Sequence, residues 1–468
     1  MKLPDYKEAR KRTNSTVEKE IYELDSSISN IGAGKKYYIK TYGCQMNEHD
    51  TENIKAMLEQ LGFAEVDDYI NADLVLLNTC SIRENAHNKA FGMLGRLKHL
   101  KEEKRELIVG LCGCMAQEEK VVDEIMHKYK WVNFVFGTHN IHRLPYILNE
   151  SFNSMKQEIE VYSKEGNIVE GMPVKRASKY KAYVNIMYGC DKFCTYCIVP
   201  YTRGKQRSRE KDDIIEEVLK LKEEGYQEVT LLGQNVNAYG KDFSYNYNLE
   251  NLLEDVSKTN IPRVRFMTSH PWDFTDGMIE VIKKYPNIMP AIHLPVQSGS
   301  SKILKLMGRK YTKEEYIELF DKLKTIPNVS ISTDIIVGFP NESDEDFKET
   351  LDLVNYCKYD NAFTFIFSPR VGTPAAKLED KITLEEKEQR LYLLNETVNK
   401  YFLENNKKLV GQKVKVLTEG TSEKEGMLFG YTETNKLINF VGTDDLIGKI
   451  IDIEVTDAKT WSLDGKVC

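Results

Sequence analysis

From residue 36 onward, short apolar runs alternate with segments of helical period, and they do so in two separate blocks. In the first block KYYIKTYGC (36–44), ADLVLLNTC (72–80) and ELIVGLCGC (106–114) carry strand signals. HDTENIKAMLEQLGF, ENAHNKAFGMLGRLKHLKEE and MAQEEKVVDEIMHKY between and after them carry helical ones. Alternation of this kind predicts an open parallel sheet covered by helices. In the second block AYVNIMYG, EVTLLG, RVRFMTS, AIHLPVQ, VSISTDIIVGF and AFTFIFS are strand-like, with helical patterns such as EKDDIIEEVLKLKEEGY and DEDFKETLDLVNYCK between them. About six β/α units predict a complete or partial (β/α) barrel, whose chemistry belongs at the carboxyl ends of its strands. From about residue 409, KVKVLTEG, KLINFVG and GKIIDIEVTDA are separated by glycines and predict a small antiparallel β-barrel. The fold class is therefore α/β, with an open parallel sheet domain, a partial (β/α) barrel and a small β-barrel in that order. The expected limits are an extension over residues 1–34 whose role is unreadable, a first domain over 35–154, a second over 175–405 and a third over 406–468. A charged, turn-rich connector (155–179) joins the first two. A chain of 468 residues is long enough for two or three separate cores.

The nine cysteines are Cys44, Cys80, Cys112, Cys114, Cys190, Cys194, Cys197, Cys357 and Cys468. The opening MKLPDYKEARKRTNSTVEKE does not resemble an apolar leader, and no apolar run reaches the length of a membrane span. A cytoplasmic, reducing setting with no membrane contact is expected, where clustered thiols suggest metal sites more than disulfides. Cys44, Cys80 and one of Cys112 and Cys114 fall just past the carboxyl ends of three different predicted strands, the edge where open α/β sheets bind ligands. Cys112 lies within an apolar run and reads as a packing residue. Cys114 opens a predicted helix, whose N-terminal dipole favours a thiolate, so it is taken as the third ligand. In YGCDKFCTYCIVPYTRGKQRSR (188–209), Cys190, Cys194 and Cys197 have no nearby fourth thiol or histidine, which a structural zinc site would want. Three thiolates can hold three corners of a cubic iron–sulfur cluster and leave one iron open to an exchangeable ligand.

The C-x3-C-x2-C spacing after the first strand of a β/α barrel resembles the signature of the radical S-adenosylmethionine (SAM) superfamily. IKTYGCQMNEHD, LLNTCSIRENA, GLCGCMAQ, IMYGCDKFCTYCIVPYTRG, LLGQNVNAYG, HLPVQSGS and IVGFPNES, in this order, resemble the MiaB-type tRNA methylthiotransferases over nearly everything from residue 36. The resemblance implies a first domain with an auxiliary 4Fe-4S cluster on Cys44, Cys80 and Cys114. It implies a radical SAM domain with a second 4Fe-4S cluster on Cys190, Cys194 and Cys197, and a C-terminal TRAM domain. It implies methylthiolation of carbon 2 of an isopentenylated adenosine beside the tRNA anticodon. Two SAM molecules would be used, one as methyl donor and one as radical source, with an electron donor such as flavodoxin or ferredoxin. The reacting carbon is an unactivated aromatic C–H position, so cofactors carry the hard chemistry and no catalytic side chain beyond the clusters is expected.

Gly233, Gln234 and Asn235 follow the second barrel strand, where radical enzymes place a segment that bonds the methionine end of SAM. Ile336 and Gly338 in DIIVGFPNE match part of an adenine-side element; Asp334 stands where glycine is usual, and Glu342 lies one place late. Gln297 and Ser298, at another strand end, read either as SAM contacts or as polar loop caps. The basic run Arg203, Lys205, Arg207 and Arg209 reads as phosphate contact to the anticodon stem-loop. The formal net charge of −7 argues against indiscriminate nucleic-acid binding and leaves room for such a local patch. In the TRAM-like segment Phe429, Tyr431 and Phe440 could stack on bases or fill the barrel core. Cys357 and Cys468 read as a core thiol and a tail thiol. Sister families would place the same chemistry on another tRNA adenosine derivative or a ribosomal-protein aspartate. A pure electron carrier or RNA-binding module is disfavoured, because electron-transfer clusters normally have complete ligation.

Overall fold

The computed structural model describes residues 1–11, 17–81, 84–154, 156–423 and 426–468. Residues 12–16 of the extension, Ile82 and Arg83 of the NTCSIRENA motif and Met155 of the connector lie outside the described residues. The chain divides into two compact units. One takes residues 1–177, 188–193 and 197–207; the other takes 178–187, 194–196 and 208–468.

The first unit is built on a six-stranded sheet, parallel throughout. Across the sheet the strands run Ala64–Glu65, Lys36–Thr41, Leu74–Thr79, Ile108–Gly113, Phe134–Phe136 and Glu158–Glu160. Leu74–Thr79 is buried along its whole length, as a strand covered on both faces must be. Val75, Leu77, Val109 and Leu111 pack one face with Leu94 and Leu97 of helix Glu84–Glu103. Leu74, Leu76 and Phe134 pack the other with Ile54, Met57 and Leu58 of helix Gln45–Gln60. The outermost strand, Glu158–Glu160, comes from the stretch read as connector. Only Ile159 of its three residues is apolar, too little for a strand signal. Described parts of the extension lie against the same unit: the Lys2 amide donates to Ile159 O at 2.8 Å, and Lys19–Ile21 pairs in parallel with Ile168–Glu170.

In the second unit six parallel strands alternate with helices. Lys181–Asn185, Glu228–Leu232 and Arg263–Phe266 form one sheet, and Ala291–His293, Ser330–Val337 and Asn361–Ile366 another, with a Val264–Ile288 bridge beside the third strand. Local sequence fixes where the covering helices begin. Asn248 with Asn251, Thr312 with Glu315, Ser343 with Asp346 and Thr383 with Glu386 each form a reciprocal capping box, and a cap of this kind stabilises by about 1 kcal/mol. The chain ends in a closed barrel in the order Lys413–Thr421, Met427–Thr432, Leu437–Val441, Leu463–Val467, Ile450–Ala458. Phe440 is fully buried in its core, whereas Phe429 and Tyr431 are half-buried.

This small barrel is held to the parallel strands by two buried arginines. Arg263 donates to Lys415 O (2.8 Å) and Tyr431 O (3.0 Å), and Arg265 to Thr432 O (2.8 Å) and Glu433 O (3.0 Å). The Glu228 carboxylate lies 2.9 Å from Arg265 Nε. Burial pushes the Arg263 guanidinium down to about 10, against the pull of Glu228. Cys357 is buried among Leu353, Val354 and Phe320, and Cys468 is exposed. Among the described residues no helix is long and apolar enough to cross a membrane.

Candidate functional site

In the first unit, strand Lys36–Thr41 has Ala64–Glu65 on one side and Leu74–Thr79 on the other, so the chain order reverses around it. The crevice beyond the carboxyl ends at such a switch point is where open α/β sheets bind ligands. Cys44, Cys80 and Cys114 all stand there, just past Lys36–Thr41, Leu74–Thr79 and Ile108–Gly113. Cys44 occupies the N-cap position of helix Gln45–Gln60, and its side chain makes no capping bond.

Asn47, in the first turn of that helix, ties the strand ends together. Its Nδ2 donates to Asn78 Oδ1 (3.1 Å) and Thr79 O (2.9 Å), while its Oδ1 faces Cys44 Sγ at 3.5 Å and Cys114 Sγ at 4.0 Å. Arg203 reaches the same point: Nη2 lies 2.6 Å from Asp50 Oδ2 and 3.4 Å from Asn47 Oδ1, and both charged groups are buried. Burial pushes the Cys114 thiol up to about 12. The Arg203 charge and a hydrogen bond from it pull the other way, and the neighbouring Cys80 and Cys44 add to the rise. The three thiols therefore share one electrostatic environment.

Cys114 does not open a helix, so the dipole argument for it fails. It begins a short 3-10 turn, Cys114–Gln117, and the α-helix starts only at Glu119. What places its sulfur is Gly113, at φ +88°, where a Cβ would stand 2.4 Å from both Asn78 Oδ1 and Thr79 O. Cys112, one strand position earlier, packs among Leu74, Leu76 and Phe134, as its apolar setting predicted.

Of the second set, Cys194 is buried, whereas Cys190 and Cys197 are half-buried. In the second unit Arg309 Nη1 donates to Cys194 Sγ at 3.7 Å; the same guanidinium donates to Pro295 O (2.7 Å) and Tyr311 Oη (2.9 Å) and is itself buried. In the first unit the Cys190 amide donates to Gly204 O at 3.2 Å. Gly189 makes that approach possible, since a Cβ there would lie 2.0 Å from Lys205 O.

The positions after the barrel strands divide. Gly233 follows Glu228–Leu232 with Met187 Cγ 2.5 Å from where its Cβ would be, and Gln234 is half-buried beside it. Asn235 donates to Asp273 Oδ2 at 2.6 Å and keeps a buried Oδ1 without a hydrogen bond. Gln297 is held at φ +73° by two backbone bonds to the neighbouring strand, from its own amide to Asp334 O and from the Ile336 amide to its carbonyl. Ile336 is half-buried against an apolar cluster that includes Phe339 and Phe367. Ser298 caps its own loop, accepting from the Ser300 amide at 3.2 Å and meeting Thr350 Oγ1 at 3.4 Å; the loop-cap reading holds for it. The Gly338 amide is taken by Glu342 Oε2 (2.7 Å), and Glu342 in turn is paired with Arg390 at 2.8 Å.

The basic run is mostly interior, which corrects its reading as a row of phosphate contacts. Arg203 pairs with Asp50. Arg207 donates to Gly166 O (3.0 Å) and lies over the Tyr188 ring, and Arg209 donates to Asn185 O (2.7 Å) and Glu217 (2.8 Å). Of the four only Lys205 is not buried. Sequence reasoning counted charges along this stretch, but the carbonyls and carboxylates that consume them come from distant parts of the chain. It likewise missed Asn47, Asp50 and Arg309. The first two stand within YGCQMNEHD and the third in MGRKYT, and no local period marks any of them as facing sulfur.

The donor sets fit iron–sulfur clusters. Among the described residues no three His, Cys, Asp or Glu side chains close on a point fit for a single ion. Thiols are the donor type that a multi-iron cluster takes.

The Radical SAM superfamily profile matches residues 184–354, that of the uncharacterized protein family UPF0004 residues 36–137, and that of the TRAM domain residues 407–468. Among solved structures, the radical SAM methyltransferase TsrM from Kitasatospora setae, with cobalamin and a [4Fe-4S] cluster bound, superimposes with a TM-score of 0.52 at 13% identity, over 73% of this chain and 77% of that one. The Radical SAM profile, with this fold, marks a radical SAM enzyme. Curated relatives narrow the class: a tRNA-2-methylthio-N6-dimethylallyladenosine synthase of Bacillus cytotoxicus is 56% identical over 99% of this chain and 92% of its own length. The synthase so named in Oceanobacillus iheyensis is 56% identical over 99% and 90%. The chain belongs to the family of tRNA-2-methylthio-N6-dimethylallyladenosine synthases, radical SAM methylthiotransferases that use SAM and 4Fe-4S clusters.

Proposed function

We propose that this chain methylthiolates carbon 2 of N6-isopentenyladenosine at position 37, beside the anticodon of tRNAs. It uses two SAM molecules, one as methyl donor and one as radical source. The observation that carries the reading is the convergence of Cys44, Cys80 and Cys114 at one switch point, in a chain whose relatives of near-equal length carry that synthase name. Cys44, Cys80 and Cys114 would hold one 4Fe-4S cluster, and Cys190, Cys194 and Cys197 the other. When bound, these groups supply reductive cleavage of SAM and a site for sulfur methylation, chemistry that no side chain offers at an aromatic C–H carbon.

The protein's own part is positioning. Asn47 ties the head of helix Gln45–Gln60 to the end of strand Leu74–Thr79 and faces the Cys44 and Cys114 sulfurs with its Oδ1. Arg309, anchored on Pro295 and Tyr311, holds a buried positive charge at the Cys194 sulfur. Gly233 and Gln234 would offer backbone groups and Gln297 its side-chain amide to the methionine end of SAM, and the unfilled Asn235 Oδ1 offers an acceptor nearby. Ile336 offers an apolar surface to the adenine end. A one-electron donor of the flavodoxin or ferredoxin type would supply the reducing electron, and such thiol chemistry belongs in the reducing cytoplasm.

The test is anaerobic incubation of the iron-reconstituted protein with SAM, dithionite and an isopentenylated anticodon stem-loop, followed by nucleoside mass spectrometry and iron counting. About eight irons per chain and a methylthio gain on the adenosine are expected. Cys190→Ala should abolish SAM cleavage. Cys114→Ala should keep cleavage and lose the methylthio product, with Cys112→Ala active. Deoxyadenosine formation without any change in the nucleoside would move the substrate elsewhere.

A further inference from the structure

Arg203 has no part in the reading above, yet it is among the most deeply placed charges in the first unit. A guanidinium stays protonated at any pH the protein meets, so a buried one needs anions around it. Asp50 is one, at 2.6 Å, with Asn47 Oδ1 completing the contact at 3.4 Å. With protonated thiols the Arg203–Asp50 pair is neutral by itself. Once Cys44, Cys80 and Cys114 bind iron as thiolates, the site gains negative charge, and Arg203 is a buried cation beside it, bonded to the same Asn47 Oδ1 that the Cys44 and Cys114 sulfurs face at 3.5 and 4.0 Å.

We propose that Arg203 is a positioning residue for the cluster held by Cys44, Cys80 and Cys114. Its guanidinium, aimed by Asp50 and Asn47, supplies the buried positive charge that retains this cluster and sets its redox poise. The inference rests on the ligand assignment proposed above. Its place in the chain adds a consequence. Arg203 follows Cys197 by one short helix, Val199–Thr202, whose four residues are all buried, and its amide closes that helix on Val199 O at 2.8 Å. One short segment therefore carries two ligands of one cluster, Cys190 and Cys197, and the counter-charge of the other.

Charge near an iron–sulfur cluster shifts its potential in a direction set by sign. Removing a cation disfavours the reduced form and lowers the potential; removing an anion raises it. The test uses the full chain with Cys190, Cys194 and Cys197 replaced by alanine, so that about four irons per chain remain on the first set. Arg203→Gln, Arg203→Lys and Asp50→Asn are compared by iron count and by a redox titration followed by electron paramagnetic resonance. The expected result is a lower potential or loss of iron in Arg203→Gln, a raised potential in Asp50→Asn, and a value near the parent in Arg203→Lys. Should Arg203→Gln fail to fold, the upward shift in Asp50→Asn against the unshifted Arg203→Lys still decides. Potentials that move together in Arg203→Gln and Asp50→Asn, or do not move while iron is retained, overturn the proposal. A different result sinks the ligand assignment and this inference with it: full iron content in a chain lacking Cys44, Cys80 and Cys114 but keeping the second set.

Discussion

Gly113 shows how much of a proposed metal site can depend on a residue outside the ligand set. Its φ of +88° turns the chain from strand Ile108–Gly113 into the 3-10 turn that starts at Cys114, and its Cα faces the Thr79 peptide too closely for a side chain. Gly113→Ala combines a left-handed backbone with a backbone clash, a cost of about 2–4 kcal/mol in sum. Chemical denaturation should read that loss, together with fewer irons per chain after reconstitution. Asp346 makes a different point, about pH. Burial alone would raise its carboxyl, but hydrogen bonds from Lys302, the Ser343 amide and Ser300 outweigh it and hold the group at about 2. A carboxyl lowered on folding stabilises above its unfolded value, near 3.9, and that contribution is lost as pH falls from about 4 toward 2. Asp346→Asn should therefore lower the denaturation midpoint at pH 7 and leave a smaller difference from the parent at pH 3.

At the scale of elements, the alternation of strand and helix was plain in the sequence, because each long strand and each capping box is a local pattern. The partial (β/α) barrel and the closed C-terminal barrel follow from that, as do the three strand ends that carry Cys44, Cys80 and Cys114. Less legible were strands too short to show a period, Ala64–Glu65 and Glu158–Glu160, and the break between Gln117 and Glu119 where one helix had been expected. Also hidden was the fate of the arginines. Arg263 and Arg265 sit two apart on one strand, as the RVRF stretch shows, but their partners are backbone carbonyls from residues 415 to 433. Arg265→Ala would leave Glu228 buried beside Arg263 alone and orphan the Thr432 and Glu433 carbonyls. A loss of about 3–5 kcal/mol is expected for breaking such a pair. Limited proteolysis should then release the last 60 or so residues at protease levels that the parent resists.

For the molecule as a whole, charge decides how RNA is met. The chain carries 65 Lys and Arg against 72 Asp and Glu, and three of the four residues in its most basic run are turned inward. The run read as a phosphate patch is then mostly unavailable to displace counterions, and recognition leans on shape and base contact in the single-stranded loop. Binding of an isopentenylated stem-loop should show a shallow salt dependence, with a slope of log K against log salt no steeper than about −3. Fluorescence anisotropy between 50 and 200 mM salt, the usual working range, measures it. A slope of about −6 or beyond would mean a broad phosphate-binding face, formed by groups other than Arg203, Arg207 and Arg209.

Cysteine at the head of helix Gln45–Gln60 stands where serine, aspartate or asparagine would normally accept a bond from the first amides, and its thiol makes no such bond. Those amides carry the positive end of the helix dipole toward whatever Cys44 holds. An anionic cluster on Cys44, as proposed, would complete the helix as a missing cap does, and the backbone itself would report loading. Amide hydrogen exchange at residues 45–48 should slow when iron is bound, in a stretch of chain that supplies no second ligand of its own.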